Sequence, residues 1–451
     1  MKRKITKELL EWQRESNGKA LLVTGARQVG KSYAIREFGK AHYAHYAEIN
    51  LFDNQVARKA FSDAQDVRDL IARIELFANA ELREGTSLVF IDEVQELPDI
   101  MTWAKFLVED GRYAYAFSGS MLGVEFKGVR SYPVGFVREL VMRPMDFEEY
   151  CWATGISEGA LDQIHSAFEA KEPLPEYLHD AMLNNYRTYM VVGGMPEVVK
   201  AFVESRGSLA GVRTIQSDLV TQYRHDISKY AENRSLHVRD IFDGLPLQLD
   251  GDQRRFLVNS VDPNARYERY KKDFVWLRNA GVALKCDQIG EPKIPLDRTR
   301  RESKFKLYQS DTGMLVSRYG QSVARSVYLD ERKPNLGGIY ENVIAQELVA
   351  AGFVLRYWQV GTREVDFCVE TASGSVLPIE VKSGRSMRTH ASLDYIMQSG
   401  EYGVEQGVVL SRLNVEYDKT GRTVYLPFYM TMCLGTLAAP SDDFLLGIVS
   451  V

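Results

Sequence analysis

The sequence predicts an α/β protein of several domains, opened by a parallel-sheet domain and closed by a second, mixed α/β domain. Three observations carry this. An apolar run, ALLVT at 20–24, leads straight into GARQVGKS at 25–32. A second apolar run, LVFI at 88–91, ends on two acids, Asp92 and Glu93. Near the C-terminus, PIEVKSG at 378–384 sets Glu380 and Lys382 two apart in an apolar stretch, and alternation along a strand puts both on one face.

At 451 residues the chain exceeds what one hydrophobic core supports. The net charge of −5 excludes a globally basic nucleic-acid or membrane binder, so a local patch must carry any such role. Cys151, Cys286, Cys368 and Cys433 are widely spaced without a CxxC pair, which suits a reducing cytoplasm rather than a disulfide or zinc framework. MKRKITKELLEW lacks the apolar core of a signal peptide. The uncharged stretch 423–441 approaches membrane-spanning length, but Pro427, Gly435 and Pro440 read as a buried strand and helix.

GARQVGKS fits G-x-x-x-x-G-K-[ST] between a strand and a helix. Its glycines let the backbone N–H groups of Gly25, Ala26, Arg27, Gln28, Val29 and Gly30 close on phosphate oxygens. The following helix, with Lys31, Ser32 and Tyr33 in its first turn, adds its positive end. Lys31 is placed for the β- and γ-phosphates and Ser32 for Mg²⁺. An acid ending a buried parallel strand holds Mg²⁺ through water, which assigns Asp92 to the metal and Glu93 to the general base. A third strand, 113–117, ends in Ser118-Gly119-Ser120, where Ser118 is the candidate γ-phosphate sensor. Arg130 or Arg138 can stabilise transition-state charge in cis or across a subunit contact, with Arg130 preferred; action in trans would imply an oligomer.

GARQVGKS, LVFIDEVQELP, FSGS, RSYPVGFVREL and GGMP together resemble the AAA+-type ATPases fused to a C-terminal domain of unknown function in bacteria and archaea. The resemblance implies ATP and Mg²⁺ as cofactors. In related signal-transduction ATPases a Gly-x-Pro element of a helical lid contacts adenine, and the resemblance places Pro196 of GGMP there.

The stretch 145–206 reads as helices, then shorter helices lead to a β-hairpin after Gly281, the pattern of a winged helix. Residues 266–306 hold twelve Lys/Arg against six Asp/Glu, a local +6 that can pair with DNA phosphates. Arg266, Arg269 and Lys272 share a helix side, and Arg298, Arg300, Arg301, Lys304 and Lys306 fall in the presumed wing.

Around PIEVKSG lie a helix with Glu341 in its first turn, a strand EVDFCVE at 364–370 and a turn TASGS at 371–375. A hairpin centred on Ser373 sets Asp366 opposite Glu380 and Glu364 opposite Lys382. Facing carboxylates repel unless a divalent cation lies between them. Glu341, Asp366 and Glu380-Val381-Lys382 resemble the PD-(D/E)xK nuclease superfamily, though Val365 stands where the family name has proline. The resemblance implies Mg²⁺ on Asp366 and Glu380, assistance from Glu341, and Lys382 attending the attacking water. Such domains can also keep the fold without cutting.

The expected order is a P-loop ATPase core with parallel sheet at 1–144, a helical lid at 145–215, a winged-helix-like domain at 216–300 and a restriction-endonuclease-like α/β domain at 301–451. The expected function is ATP binding and hydrolysis coupled to action on DNA, with Mg²⁺-dependent phosphodiester cleavage. The alternative is a nucleotide-controlled switch whose nuclease-like domain does not cut.

Overall fold

The computed structural model describes residues 1–15, 18–120, 133–231, 234–251, 254–261, 266–331, 336–384 and 386–438. The chain divides into two units, one of residues 1–144 with 279–281, the other of 145–278 with 282–451.

The first unit is built on five parallel strands: β1 Ala20–Gly25, β2 His45–Asn50, β3 Ser87–Asp92, β4 Ala114–Ser120 and β5 Val137–Met142. Their order is β2-β3-β4-β1-β5. β1 and β3 are buried along their whole length, which is why they read as continuous apolar runs rather than alternating ones. Leu22, Ile49, Val89, Ile91 and Phe117 pack against Phe61, Leu70, Ile74, Met101 and Leu107 from the covering helices. In such sheets ligands bind beyond the carboxyl ends of the strands, where the order reverses. β1 lies between β4 and β5, the last two strands of this sheet in sequence, so its carboxyl end opens at that reversal.

The second unit begins at an anchored point. Met145 N–H donates to Gly194 O at 2.7 Å, and Phe147 N–H donates to buried Glu347 at 3.1 Å. Helices follow at Phe147–Thr154, Glu158–Ala170, Glu176–Val192, Pro196–Glu204, Leu209–Tyr230, Ser235–Asp250 and Tyr267–Asn279. Asp146 and Glu149 form a reciprocal cap on the first of these. Pro246 lies inside Ser235–Asp250 and cannot donate to Phe242 O four residues back; Arg318 Nη2 donates to that carbonyl instead, at 2.6 Å.

Eight strands complete this unit: β6 Ala283–Ile289, β7 Arg300–Gln309, β8 Arg356–Val360, β9 Arg363–Glu370, β10 Val376–Val381, β11 Gly407–Ser411, β12 Glu416–Tyr417 and β13 Thr423–Pro427. They form one mixed sheet in the order β12-β13-β11-β10-β9-β8-β6-β7. The hairpin expected as a wing is β6–β7, and β6 pairs in parallel with β8. The boundary expected at 300/301 therefore falls inside a single sheet, because a parallel pairing across some seventy residues joins the two sides. The apolar stretch 423–437 is β13 followed by the buried 3₁₀ helix Phe428–Leu437. No helix among the described residues is long and apolar enough to cross a membrane.

Candidate nucleotide site and carboxylate cluster

The phosphate loop joins β1 to the helix Lys31–His42. Gly30 takes the left-handed conformation at φ 97°, and Gln28 does so at φ 64°. Glycine is needed at 25, where a β-carbon would collide with Met142 O of the adjoining β5. Arg3 braces the loop, donating through Nη1 to Val29 O at 2.9 Å and through Nη2 to Arg143 O at 2.7 Å. Lys31 is buried and its Nζ donates to Gly25 O at 3.2 Å and Ala26 O at 2.9 Å. Burial pushes its pKa down to about 8, with Glu93 and Asp92 acting in the opposite direction. Ala26 and Val29 are buried, Arg27 and Ser32 half-buried, and Tyr33 exposed.

Asp92 closes β3, 2 % exposed. It accepts from Ser118 Oγ, from Asn50 Nδ2 at 3.2 Å and from the Glu93 N–H at 3.0 Å, and the Ser32 hydroxyl also bonds to it. Burial raises its pKa, and the hydroxyl partners work against that rise. Ser32 and Asp92 thus stand together as one hydroxyl and one carboxylate, the donor set with which P-loop sites hold Mg²⁺. Glu93 sits in the left-handed region at φ 58°, a strained conformation for glutamate, and Gln95 Nε2 donates to its carboxylate. Gln95 Oε1 in turn accepts from Ser120 N–H at 3.2 Å. The third strand is expected from the sequence to end at Phe117. β4 instead runs on to Ser120, so strand pairing with β1 fixes Ser118 beside Asp92.

Three expectations for this site change or fall outside it. Arg138 pairs with Glu15 at 3.2 Å and Glu11 at 3.8 Å on the helix Ile5–Glu15, and its charge is used there. Arg130 lies outside the described residues. Pro196 belongs to the second unit, at the first position of Pro196–Glu204. The glycines before it pack inside that unit. Gly194 N–H donates to Asp311 Oδ2 at 2.6 Å, and a β-carbon on Gly194 would collide with Met145 O. Asp311 is fully buried; burial lifts its pKa to about 6 although the N–H groups of Gly194, Met314 and Gly313 favour the charged form.

The C-terminal carboxylates meet in the second unit. β9 and β10 pair from Val376↔Glu370 to Ile379↔Phe367, the register read from the turn. The step beyond would set Asp366 against Glu380, but Asp366 Oδ2 accepts from Val381 N–H at 2.8 Å. Lys382 Nζ lies 2.7 Å from Glu380 Oε1. Glu364 does not meet Lys382; its carboxylate lies 2.7 Å from Lys306 Nζ. The helix Gly337–Ala350 starts earlier than expected, so Glu341 stands in its second turn, buried, and accepts from Tyr308 OH at 3.0 Å and from Arg254.

Lys306 is the residue that sequence reasoning misplaced. Assigned there to a phosphate-binding wing, its side chain is 0 % exposed and reaches Glu341, Glu364 and Asp366. Those acids hold its pKa well above the usual lysine value against the effect of burial. Glu341 is held below its ordinary value by Lys306 and Arg254 despite burial, whereas burial and the neighbouring Glu341 and Glu380 raise Asp366. Burial likewise raises Glu380. Of the acids expected to hold Mg²⁺, Asp366 lies 3.6 Å from Lys306 and Glu380 2.7 Å from Lys382, while Arg254 and Lys306 both bind the assisting Glu341; among the described residues no group of three His, Cys, Asp or Glu side chains is arranged to hold a metal. The pocket as built does not fit that ion.

The basic stretch 266–306 is also largely paired. Lys271 meets Glu302, Lys285 meets Asp287, Arg298 meets Glu291, Arg300 meets Glu302 and Lys293 meets Glu401. Arg266, Arg269, Lys272 and Arg301 are exposed.

Comparison with known proteins divides the chain in three. Residues 17–151 match the AAA domain family, 183–324 a domain of unknown function (DUF8612) and 336–430 another domain of unknown function (DUF4143). No curated protein matches the chain. Among solved structures, it is similar to a Walker-type ATPase of Pyrococcus abyssi at 13% identity, covering 72% of this chain and 95% of that one with a TM-score of 0.42. It is similar to the Aeropyrum pernix Orc1 protein, solved in complex with DNA, at 12% identity, with coverage of 73% and 91% and a TM-score of 0.28. The Pif1 helicase of Candida albicans follows at 14% identity, with coverage of 40% and 47% and a TM-score of 0.24. The AAA match, the five-stranded parallel sheet and the loop between β1 and its helix support a P-loop ATPase domain at the N-terminus, followed by a further α/β sheet domain.

Proposed function

We propose that the N-terminal domain binds and hydrolyses ATP, and that the nucleotide state controls how the rest of the chain engages DNA. One observation carries the ATP reading: Lys31 and Ser32 after β1, Asp92 and Glu93 at the end of β3, and Ser118 on β4 converge beyond three adjacent parallel strands. Lys31 exchanges the Gly25 and Ala26 carbonyls for phosphate oxygens. Ser32, with Asp92 through water, would hold Mg²⁺, which neutralises charge on the β- and γ-phosphates. Glu93, steadied by Gln95, orients the attacking water and accepts its proton. Ser118 links Asp92 to the γ-phosphate position. Arg130 as the stabiliser of transition-state charge, in cis or from a second copy, and Pro196 as an adenine contact belong to the same proposal.

Phosphate release and ATP binding by wild type, Lys31→Ala and Glu93→Gln test it. Lys31→Ala is expected to lose ATP binding, and Glu93→Gln to keep binding while hydrolysis falls about 10²-fold or more. Undiminished hydrolysis in both variants would overturn the assignment.

The DNA part rests on exposed Arg269 and Lys272 on the helix Tyr267–Asn279, Arg266 just before it, and Arg301. Replacing Arg266, Arg269 and Lys272 by alanine is expected to weaken binding to DNA of any sequence and to flatten its salt dependence. For the C-terminal unit, the buried Lys306 among its carboxylates favours the non-cutting switch over Mg²⁺-dependent cleavage.

A further inference from the structure

Glu380 is paired within its own stretch by Lys382, but the two cations that close on Glu341, Glu364 and Asp366 come from a different stretch of chain than those carboxylates. Arg254 and Lys306 lie within the segment 183–324, whereas Glu341, Glu364, Asp366 and Glu380 lie within 336–430. Lys306 Nζ is 3.1 Å from Glu341 Oε2, 2.7 Å from Glu364 Oε1 and 3.6 Å from Asp366 Oδ1. Its ammonium also lies 5.2 Å from the ring centre of Tyr357 on β8. A hard divalent cation would need these same oxygens. Acids gathered this closely in a buried pocket must be neutralised by protons, by a metal or by an ammonium group, and the chain supplies the last.

The lysine is fully buried and held by its ion pairs. Its backbone is paired with Cys286 of β6 on one side and bridged to Arg255 on the other. The pairing fixes the point from which the side chain reaches the acids. Arg254, next to that bridge, closes Glu341 from a second direction.

We propose that the 183–324 segment supplies a built-in cation, Lys306, which takes the place of a divalent metal among the carboxylates of 336–430 and keeps that pocket metal-free. This deepens the non-cutting reading above: the acids are retained as one half of an ionic joint between two segments of the same sheet.

The test is a Mn²⁺ titration of the nucleotide-free full chain, read by electron paramagnetic resonance. Wild type and Asp366→Asn are expected to bind Mn²⁺ alike. Lys306→Gln is expected to gain one Mn²⁺ per chain, and Lys306→Gln with Asp366→Asn to lose it again. A wild-type Mn²⁺ that Asp366→Asn removes would overturn the proposal, as would a folded Lys306→Gln that gains none. If Lys306→Gln does not fold, Lys306→Gln with Glu341→Gln removes one charge of each sign and is expected to restore folding, judged by circular dichroism. Failure to restore it also counts against the ionic joint. ATP turnover and DNA affinity, measured in parallel, report on the proposed function separately, since neither depends on Mn²⁺ at Asp366.

Discussion

ATP affinity should fall steeply with pH above about 8, because burial works against the charge that Lys31 needs. Its pKa is pushed down from 10.5 to about 8. A bound triphosphate sets several negative charges beside the ammonium and drives the pKa back up. Binding therefore takes up a proton wherever the free protein has lost it. At pH 7 about nine-tenths of the lysine is charged, and at pH 9 about one-tenth, so the dissociation constant rises about tenfold across that range, or ~1.4 kcal/mol. Calorimetry in two buffers of different ionisation enthalpy reads affinity and proton uptake together. Uptake should approach one proton per ATP near pH 9. An affinity constant within about twofold between pH 7 and pH 9, with no proton uptake, would refute the reasoning.

Other outcomes follow from neighbouring features. Ser118→Ala removes a hydrogen bond to buried Asp92, and a rise of about 1 kcal/mol in the hydrolysis barrier, a rate roughly fivefold slower, is expected with ATP binding little changed. Asp311 has a folded pKa of about 6, raised above its ordinary value of 3.8. A raised carboxyl binds protons more readily in the folded state, so its contribution to stability is present at low pH and lost as pH rises through about 6. Denaturant unfolding of wild type against Asp311→Asn should show the difference shifting by about 2 kcal/mol between pH 7 and pH 4 in favour of wild type at the acid end. Gly194→Ala drives a β-carbon into Met145 O, with backbone on both sides, and should lower the melting temperature of the full chain severely.

What the sequence revealed depended on how far apart the cooperating residues lie. The phosphate loop is eight consecutive residues, and each geometric demand on it is local. Asp92 and Glu93 were legible because a buried parallel strand is a continuous apolar run that ends visibly. The β9–β10 register followed from a five-residue turn, where a short connection leaves little freedom. Lys306 was not legible. It stands 35 residues from Glu341 and further from Asp366, and a lysine between two apolar residues on an edge strand looks solvated until its partners are known. The merging of the presumed wing with the C-terminal strands was hidden for the same reason, since only the β6–β8 pairing reveals it. Asn50 and Gln95 carried no signal beyond standing at or near strand ends. Their role depends on neighbours from β3 and β4.

The four residues from Met142 to Met145 leave the chain almost no slack. At one end, Met142 O presses on Gly25, and Arg3 bonds both Val29 O and Arg143 O, so the phosphate loop and the end of β5 move as one piece. At the other end, Met145 is bonded to Gly194 and Phe147 to Glu347, deep in the second unit. Only Pro144, whose ring locks one of its two backbone torsions, separates the two anchorages. Within the first unit, Arg3 thus works as a tie rod: a shift of the phosphate loop on filling with nucleotide would pull on Arg143, so the loop and the end of β5 would respond together.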